Sequence, residues 1–248
     1  MARVVITGST AGLGRAAARY LLDGGHEVVL HARNSVRAGS VDDLAGRAAG
    51  VVVGDLASAD ETRGVADQVN AIGGIDAVIH NAAVYVDPRR VATPEGHART
   101  LAVNVLAPYL LTAWINRPSR LVYLSSGMHK DGDASLRDID WTARSWNGVQ
   151  AYGDSKLFIT ALSFAVARRW PDLRAHAVTR GRCRPAWAAQ ERLTTSSWAL
   201  SPRHGWPQAI IPRRPEAAAT GTTSAADRRP RPPSTSAFKM RSLTSSSG

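Results

Sequence analysis

Short runs rich in Val and Ile recur through the first 178 residues, and between them apolar positions return every three or four residues. The runs Arg3–Thr7, Glu27–His31, Val51–Val53, Asp76–His80, Arg120–Ser125 and Arg174–Val178 predict buried strands. The intervening stretches Leu13–Leu22, Val41–Ala48, Ala59–Ala71, Ala98–Trp114 and Gln150–Arg169 predict helices. Strands that alternate with helices require right-handed crossovers, which place the strands parallel and cover both faces of the sheet. The pattern therefore predicts an α/β fold with a doubly wound parallel sheet. A chain of 248 residues is long enough to build it as one domain.

After Val178 the pattern fails. Residues 179–248 contain no valine, against 21 before them, and carry 8 of the 13 prolines together with many Ser and Thr. Stretches such as RRPRPPSTS bury too little apolar surface to offset the entropy of ordering. The division predicted is a folded domain at 1–178 and an irregular, disordered tail at 179–248. No internal repeat is evident.

Charge follows the same boundary. The net charge of +11 would ordinarily suggest nucleic acid or an anionic membrane as partner. Residues 1–178 hold 19 Lys and Arg against 17 Asp and Glu, whereas 179–248 hold 12 against 3. The basic character belongs to the tail, which lacks the interleaved aromatics of a single-strand binder, so nucleic acid is not the expected partner. The opening MARVVITG enters a β-branched run with no charged segment leading into an apolar one. No stretch approaches the ~20 apolar residues that cross a bilayer. A single cysteine, Cys183, excludes an internal disulfide framework and suits a reducing interior, so the cytoplasm is the expected location. The seven histidines are scattered without metal-ligand spacing, and no metal is expected.

The chemistry is concentrated in three places. TGSTAGLG, Thr7 to Gly14, follows the first predicted strand and opens a helix. Glycines there allow a tight turn and let backbone amides approach a pyrophosphate at the positive end of the helix. The second strand ends in HARN, where Arg33 stands in place of the acidic residue that would bind a ribose 2′-hydroxyl. A cation at that position suits a 2′-phosphate, which favours NADP(H) over NAD(H). The lesser alternative for such an arginine is a solvated surface side chain. Tyr152 and Lys156 are four apart in AYGDSKL and share a helix face. A free tyrosine has a pKa of ~10, so work near neutrality needs a shift of ~3 units, about 4 kcal/mol, and a nearby ammonium supplies stabilisation of that order. Ser126 lies just past a strand end, where it can hydrogen-bond a reacting oxygen; Ser125 is its rival.

The spacing TGxxxGxG, an Asp at the end of the third strand, Asn-Ala after the fourth, an Asn in the next helix, a Ser after the fifth and YxxxK resembles the short-chain dehydrogenase/reductase family over residues 1–178. The resemblance implies a Rossmann fold and hydride transfer between NADP(H) and a small-molecule carbonyl or alcohol. It implies that Thr7, Gly8, Gly12, Leu13 and Gly14 line the cofactor turn. Asp55 would bind the adenine amino group with Leu56 beside it, and Asn81 would lie near the nicotinamide-side ribose. The family usually has Gly where this chain has Ala83. Among catalytic residues, it implies that Tyr152 is the acid/base, Lys156 tunes it and orients the ribose, Ser126 binds the reacting oxygen, and Asn104 supports a water leading to Lys156.

Two segments depart from the family. The 25 residues between Ser126 and Tyr152 exceed the length in many members and resemble the retinol-dehydrogenase-like subgroup. They read either as a pocket rim with Trp141 and Trp146 as apolar walls, or as a packed surface excursion. Beyond Ala177 the family has a Pro-Gly turn over the nicotinamide, a substrate loop, a helix and a last strand. This chain reads AVTRGRCRPAWAAQERL instead. Back-translated with GC-rich codons and shifted by one nucleotide before Thr179, the tail can be read with a Pro-Gly turn and a final amphipathic helix. A frameshifted family segment and a genuine basic tail therefore both stand as readings. The function expected is an NAD(P)-dependent oxidoreductase, the alternative being a catalytically impaired NAD(P)-binding protein that lacks its substrate segment. Substrate identity and any homo-oligomer are not legible, because the tail is where the family encodes them.

Overall fold

A computed structural model describes residues 1–179 of the chain. Of the expected tail, 179–248, only Thr179 is described, as the last residue of a strand; the rest of it, with both of its readings and Cys183, lies outside the described residues. Six parallel strands form one sheet: β1 Arg3–Ile6, β2 Glu27–Ala32, β3 Gly50–Val53, β4 Ala77–His80, β5 Arg120–Ser125 and β6 Arg174–Thr179. Their order is β3-β2-β1-β4-β5-β6. All six strands expected from the Val and Ile runs are present, with ends displaced by at most one residue.

Strand order reverses between β1 and β4, so the crevice at their carboxyl ends is the topological switch point of a doubly wound sheet. The strands are buried on both faces, and residue parity sorts them. Val5, Val29, Val52, Val78, Leu121 and Tyr123 point to one core, with Val65, Val69, Leu111 and Ile159 from the helices packed against them. Val4, Ile6, Val28, Leu30, Ile79 and Val122 point to the other, against Ala17, Ala18, Leu21 and Leu22. Buried parallel strands of this kind read as continuous apolar runs rather than as alternation.

The helices are α1 Gly12–Asp23, α2 Ser35–Gly39, α3 Asp42–Ala45, α4 Ala59–Ile72, α5 Arg99–Leu101, α6 Ala107–Trp114 and α7 Gly148–Arg169. Two differ from the sequence pattern. The stretch expected as one helix over 41–48 holds only the short α3, Asp42–Ala45, and α2, Ser35–Gly39, forms where no helix was expected. The stretch expected over 98–114 is interrupted between α5 and α6 by a π segment, Ala102–Leu106, which contains Asn104. Such bulges widen a helix by one residue and recur at functional sites. Caps mark the true starts of two longer helices. Ser58 accepts from the Glu61 amide at 3.3 Å at the start of α4, and Asn147 accepts from the Val149 and Gln150 amides at 3.1 Å each, starting α7 earlier than its apolar periodicity suggests.

Candidate active site

The glycine turn joins β1 to α1 at the switch point. Gly8 adopts a left-handed φ of 64°, and a Cβ there would lie 2.9 Å from the Ala82 Cα. At Gly14 the constraint is space. A Cβ would meet the Gly8 carbonyl oxygen at 2.4 Å and Asn81 Nδ2 at 2.5 Å, so only glycine lets the first turn of α1 close onto the loop. The turn is then stitched to the end of β4. The Thr7 hydroxyl accepts from the amides of Asn81 at 2.9 Å and Ala82 at 3.0 Å, and Asn81 Nδ2 donates to the carbonyls of Thr7 at 2.9 Å and Gly8 at 3.1 Å. Thr7, Gly8, Gly14 and Asn81 are thus one hydrogen-bonded unit. Gly12 is exposed and Leu13 packs on the second core.

The start of α1 is chemically open. Its N-cap is Ala11, which has no side chain able to cap, and its first turn holds no acidic residue. Backbone amides with no intrahelical partner and an uncompensated dipole fit an anionic group, which is the fit a dinucleotide pyrophosphate demands.

Arg33 and Asp55 sit side by side at the ends of β2 and β3, where the Gly54 amide donates to the Ala32 carbonyl at 3.1 Å. Arg33 is exposed and has no acidic partner among the described residues. The Asp55 carboxylate accepts from the Ala57 amide at 2.9 Å, and its own amide donates to Glu61 at 2.7 Å. Leu56 turns inward and is part of the first core.

The second half of the site lies where β5 meets α7. Tyr152 and Lys156 occupy one face of α7, with the Lys156 ammonium 5.4 Å from the centre of the Tyr152 ring. Lys156 is 3% exposed and donates to the Leu124 carbonyl at 2.8 Å. Burial pushes its pKa down to about 8. The two serines after Leu124 face different ways. Ser125 is buried, with its hydroxyl shared with Thr160 at 2.7 Å and donating to the Lys156 carbonyl at 3.3 Å. Ser126 is half-buried and accepts from the Met128 amide at 3.3 Å, opening the short 3-10 turn Gly127–Asp131. Asn104 is 1% exposed, and its side chain is fully engaged. It accepts from the Val84 amide at 2.8 Å, and its Nδ2 donates to the Val84 carbonyl at 2.9 Å and Ser155 Oγ at 3.0 Å. Its amide thus ties the chain leaving β4 to α7 three residues beyond Tyr152.

The segment between Ser126 and α7 packs inward. Trp141 is 7% exposed, lies edge-on to Trp146 at 5.5 Å, and carries the Arg144 guanidinium 3.5 Å from its ring centre. Trp146 donates from Nε1 to the Asp87 carbonyl at 2.9 Å. Asp138 holds the turn in a left-handed conformation, φ 49°, and accepts from Thr142 at 2.6 Å, Ala143 at 3.1 Å and Arg144 at 2.9 Å. Burial would raise its pKa, but these bonds prevail and hold it at about 2. The two tryptophans pack on each other and also line a small cavity with Leu101, Ala151 and Phe158, so the segment carries features of both readings.

Two residues of the site escaped the sequence reading. Tyr85 is 63% exposed and sets its ring edge-on to Tyr152 at 4.9 Å. His31 lies buried beneath the glycine turn, donating from Nε2 to the Gly54 carbonyl and accepting from the Gly8 amide, each at 2.9 Å. An ionisable ring in the otherwise apolar strand EVVLHA was the available signal for His31; nothing local singled out Tyr85. Among the described residues no helix is long and apolar enough to cross a membrane, and no group of three or more His, Cys, Asp or Glu could hold a metal.

The chain is similar to known proteins in sequence and fold. The model of the short chain dehydrogenase family matches residues 2–128. The chain is 42% identical over 194 residues to the short-chain dehydrogenase chry4 of Gibberella zeae, covering 77% of this chain and 74% of that protein. It is 46% identical over 173 residues to the short-chain dehydrogenase chyC of Penicillium rubens, covering 68% and 67%. Among solved structures, one of a Mycobacterium paratuberculosis protein superposes with a TM-score of 0.66 at 29% identity, covering 76% of this chain and 71% of that one. A short-chain dehydrogenase from Sphingobium yanoikuyae in complex with NADPH shares the fold, with a TM-score of 0.56 at 24% identity over 72% and 70% of the two chains.

Proposed function

The chain belongs to the short-chain dehydrogenase family of oxidoreductases, and on that premise we propose that it interconverts a carbonyl and an alcohol at the expense of NADP(H), with Tyr152 as general acid/base. When bound, the nicotinamide cofactor supplies or accepts the hydride. The observation that carries the reading is the placement of Lys156, buried beside the Tyr152 ring and tethered to Leu124 two residues before Ser126.

The chain's own residues divide the remaining work. The Tyr152 phenol gives its proton to the carbonyl oxygen during reduction, or takes one from the alcohol during oxidation. The Lys156 ammonium, in dry surroundings, favours the phenolate over the phenol and so brings the proton transfer toward neutrality. The Ser126 hydroxyl holds the substrate oxygen toward Tyr152. Asn104 locks Val84 and Ser155 in register, which fixes the helix that carries Tyr152 and Lys156, and with its side chain engaged it would support a water leading to Lys156 through its main chain. Thr7, Gly8, Gly12, Leu13 and Gly14 would hold the pyrophosphate at the open end of α1, and Asn81 the nicotinamide-side ribose. Asp55 and Leu56 would flank the adenine. Arg33, exposed and without an acidic partner among the described residues, would pair with the 2′-phosphate, which favours NADP(H) over NAD(H). This division assigns nucleotide binding and the catalytic group to residues 1–178. It leaves the substrate's identity to the segment beyond, and the protein's location is proposed as the cytoplasm.

The test is Tyr152→Phe in the full chain. Turnover of a panel of ketones should disappear while NADPH affinity stays within a few-fold of the parent. Undiminished turnover in the variant would remove Tyr152 from the mechanism. The second reading, a nucleotide-binding protein without turnover, rests on the departure of the sequence from the family after Val178. NADPH binding by the unaltered chain with no ketone or alcohol turned over would favour it.

A further inference from the structure

The His31 imidazole is 3% exposed and sits where the two halves of the nucleotide cradle meet. Its two ring nitrogens have unambiguous roles. A backbone amide can only donate, so Nδ1 accepts from Gly8; a carbonyl can only accept, so Nε2 carries the proton and gives it to Gly54. The ring is therefore one neutral tautomer. Burial lowers the pKa of His31, a tendency that the bond to Gly54 and the charge of Asp55 only partly oppose.

We propose that His31 is a positioning residue for cofactor binding: its imidazole spans the glycine turn and the end of β3, and so sets the separation between the groups that hold the pyrophosphate and those that flank the adenine. The inference rests on the reading of Thr7–Gly14 as the cofactor turn. On one side of the ring, Gly8 precedes the open amides of α1 and is gripped through its carbonyl by Asn81. On the other side, Gly54 is followed directly by Asp55. Each partner is a backbone atom that a substitution cannot remove, so losing the ring leaves a half-buried amide and a buried carbonyl without partners. Both segments would then shift to find other partners.

The rest of β2 does not depend on the ring. The His31 amide donates to Ser9 Oγ at 2.8 Å, and its carbonyl accepts from the Ser9 amide at 3.2 Å. The register of β2 with β1 and β3 is carried by the main chain. Removing the imidazole should therefore loosen the cradle more than the fold. A glutamine at this position offers one acceptor and one donor on a single planar group and can replace both bonds, whereas leucine can replace neither.

The experiment is a fluorescence titration of NADPH against the full chain and its His31→Leu and His31→Gln variants, with thermal melting of each in the absence of cofactor. Binding should weaken at least tenfold in His31→Leu and recover to within about threefold of the parent in His31→Gln, with His31→Leu melting below His31→Gln and each titration run well below the melting temperature. Unchanged affinity in His31→Leu, or equal weakening in both variants, would overturn the assignment. If His31→Leu does not fold, His31→Ala is titrated with and without free imidazole. Recovery of NADPH affinity on adding imidazole supports the proposal, and its absence refutes it. Failure of the unaltered chain to bind NADPH would instead overturn the reading of the turn itself, which keeps the two failures apart.

Discussion

The ammonium of Lys156 donates to the carbonyl oxygen of Leu124 at 2.8 Å, joining the middle of α7 to the strand that ends at Ser125. The bond crosses the gap between the two elements that carry the proposed acid/base and the proposed oxygen-binding serine. Because the lysine is buried, its charge is screened little, and its pKa is pushed down to about 8.

The rate of ketone reduction should follow that ionisation. Lys156 carries its charge below about pH 8 and loses it above, so kcat/KM for ketone reduction is expected to fall as pH rises past 8. Lys156→Met should lower turnover by a factor on the order of 100 or more. A pH–rate profile of the two proteins checks both statements, and a Lys156→Met variant with parental turnover would contradict the role.

Gly14→Ala tests the packing of the turn. The added methyl would meet the Gly8 carbonyl at 2.4 Å and Asn81 Nδ2 at 2.5 Å, neither of which is the free end of a flexible side chain. Overpacking of this kind costs about 1–3 kcal/mol. The expected outcome is a lower melting temperature together with loss of most NADPH affinity.

Arg33→Ala separates the two cofactors. The side chain is exposed, so stability should hardly change. NADPH binding should weaken by a factor on the order of 10 while NADH binding stays as it was, because a charge-assisted bond to the 2′-phosphate is the contact removed. Parallel titrations with the two nucleotides read this directly. Equal effects on both would rule out a 2′-phosphate contact.

Acid should destabilise the fold through His80. This ring is stacked on Tyr123 at 4.8 Å, accepts or donates at 3.2 Å with Thr112, and is held by burial at a pKa of about 3. Between about pH 6.5 and 3 the unfolded chain binds a proton at this position and the folded chain does not, so stability rises with pH across that window and is lost as pH falls. The slope expected from this residue is about 1.4 kcal/mol per pH unit below its unfolded value. Denaturant titrations between pH 7 and 5 measure it, and His80→Phe should flatten the dependence.

How much of this was legible beforehand varies with the physics of each feature. Periodicity located all six strands because burial on both faces of a parallel sheet demands uninterrupted Val and Ile, as in RVVI and AVIH. It placed α4 and α7 for the complementary reason, one apolar stripe per helix. It overran α3, missed α2 and ran α5 into α6, because neither a five-residue helix without a buried side chain nor a π bulge leaves a mark on apolar spacing. The tightness at Gly14 was foreshadowed by the glycine itself, but not the atoms it must avoid.

The sequence by itself determined the doubly wound α/β class, the position of the glycine turn after the first strand, and the pairing of Tyr152 with Lys156 on one helical face. Those are consequences of local spacing, which a linear pattern records. Only the tertiary structure decided that the strand order reverses between β1 and β4 and that Asn81 is bonded to Thr7 across 74 residues of chain. It also decided that Ser125 turns inward while Ser126 opens a turn, and that His31 bridges Gly8 and Gly54. A buried polar group must find a partner wherever the fold supplies one, and distance along the chain does not reveal which backbone atom will be there.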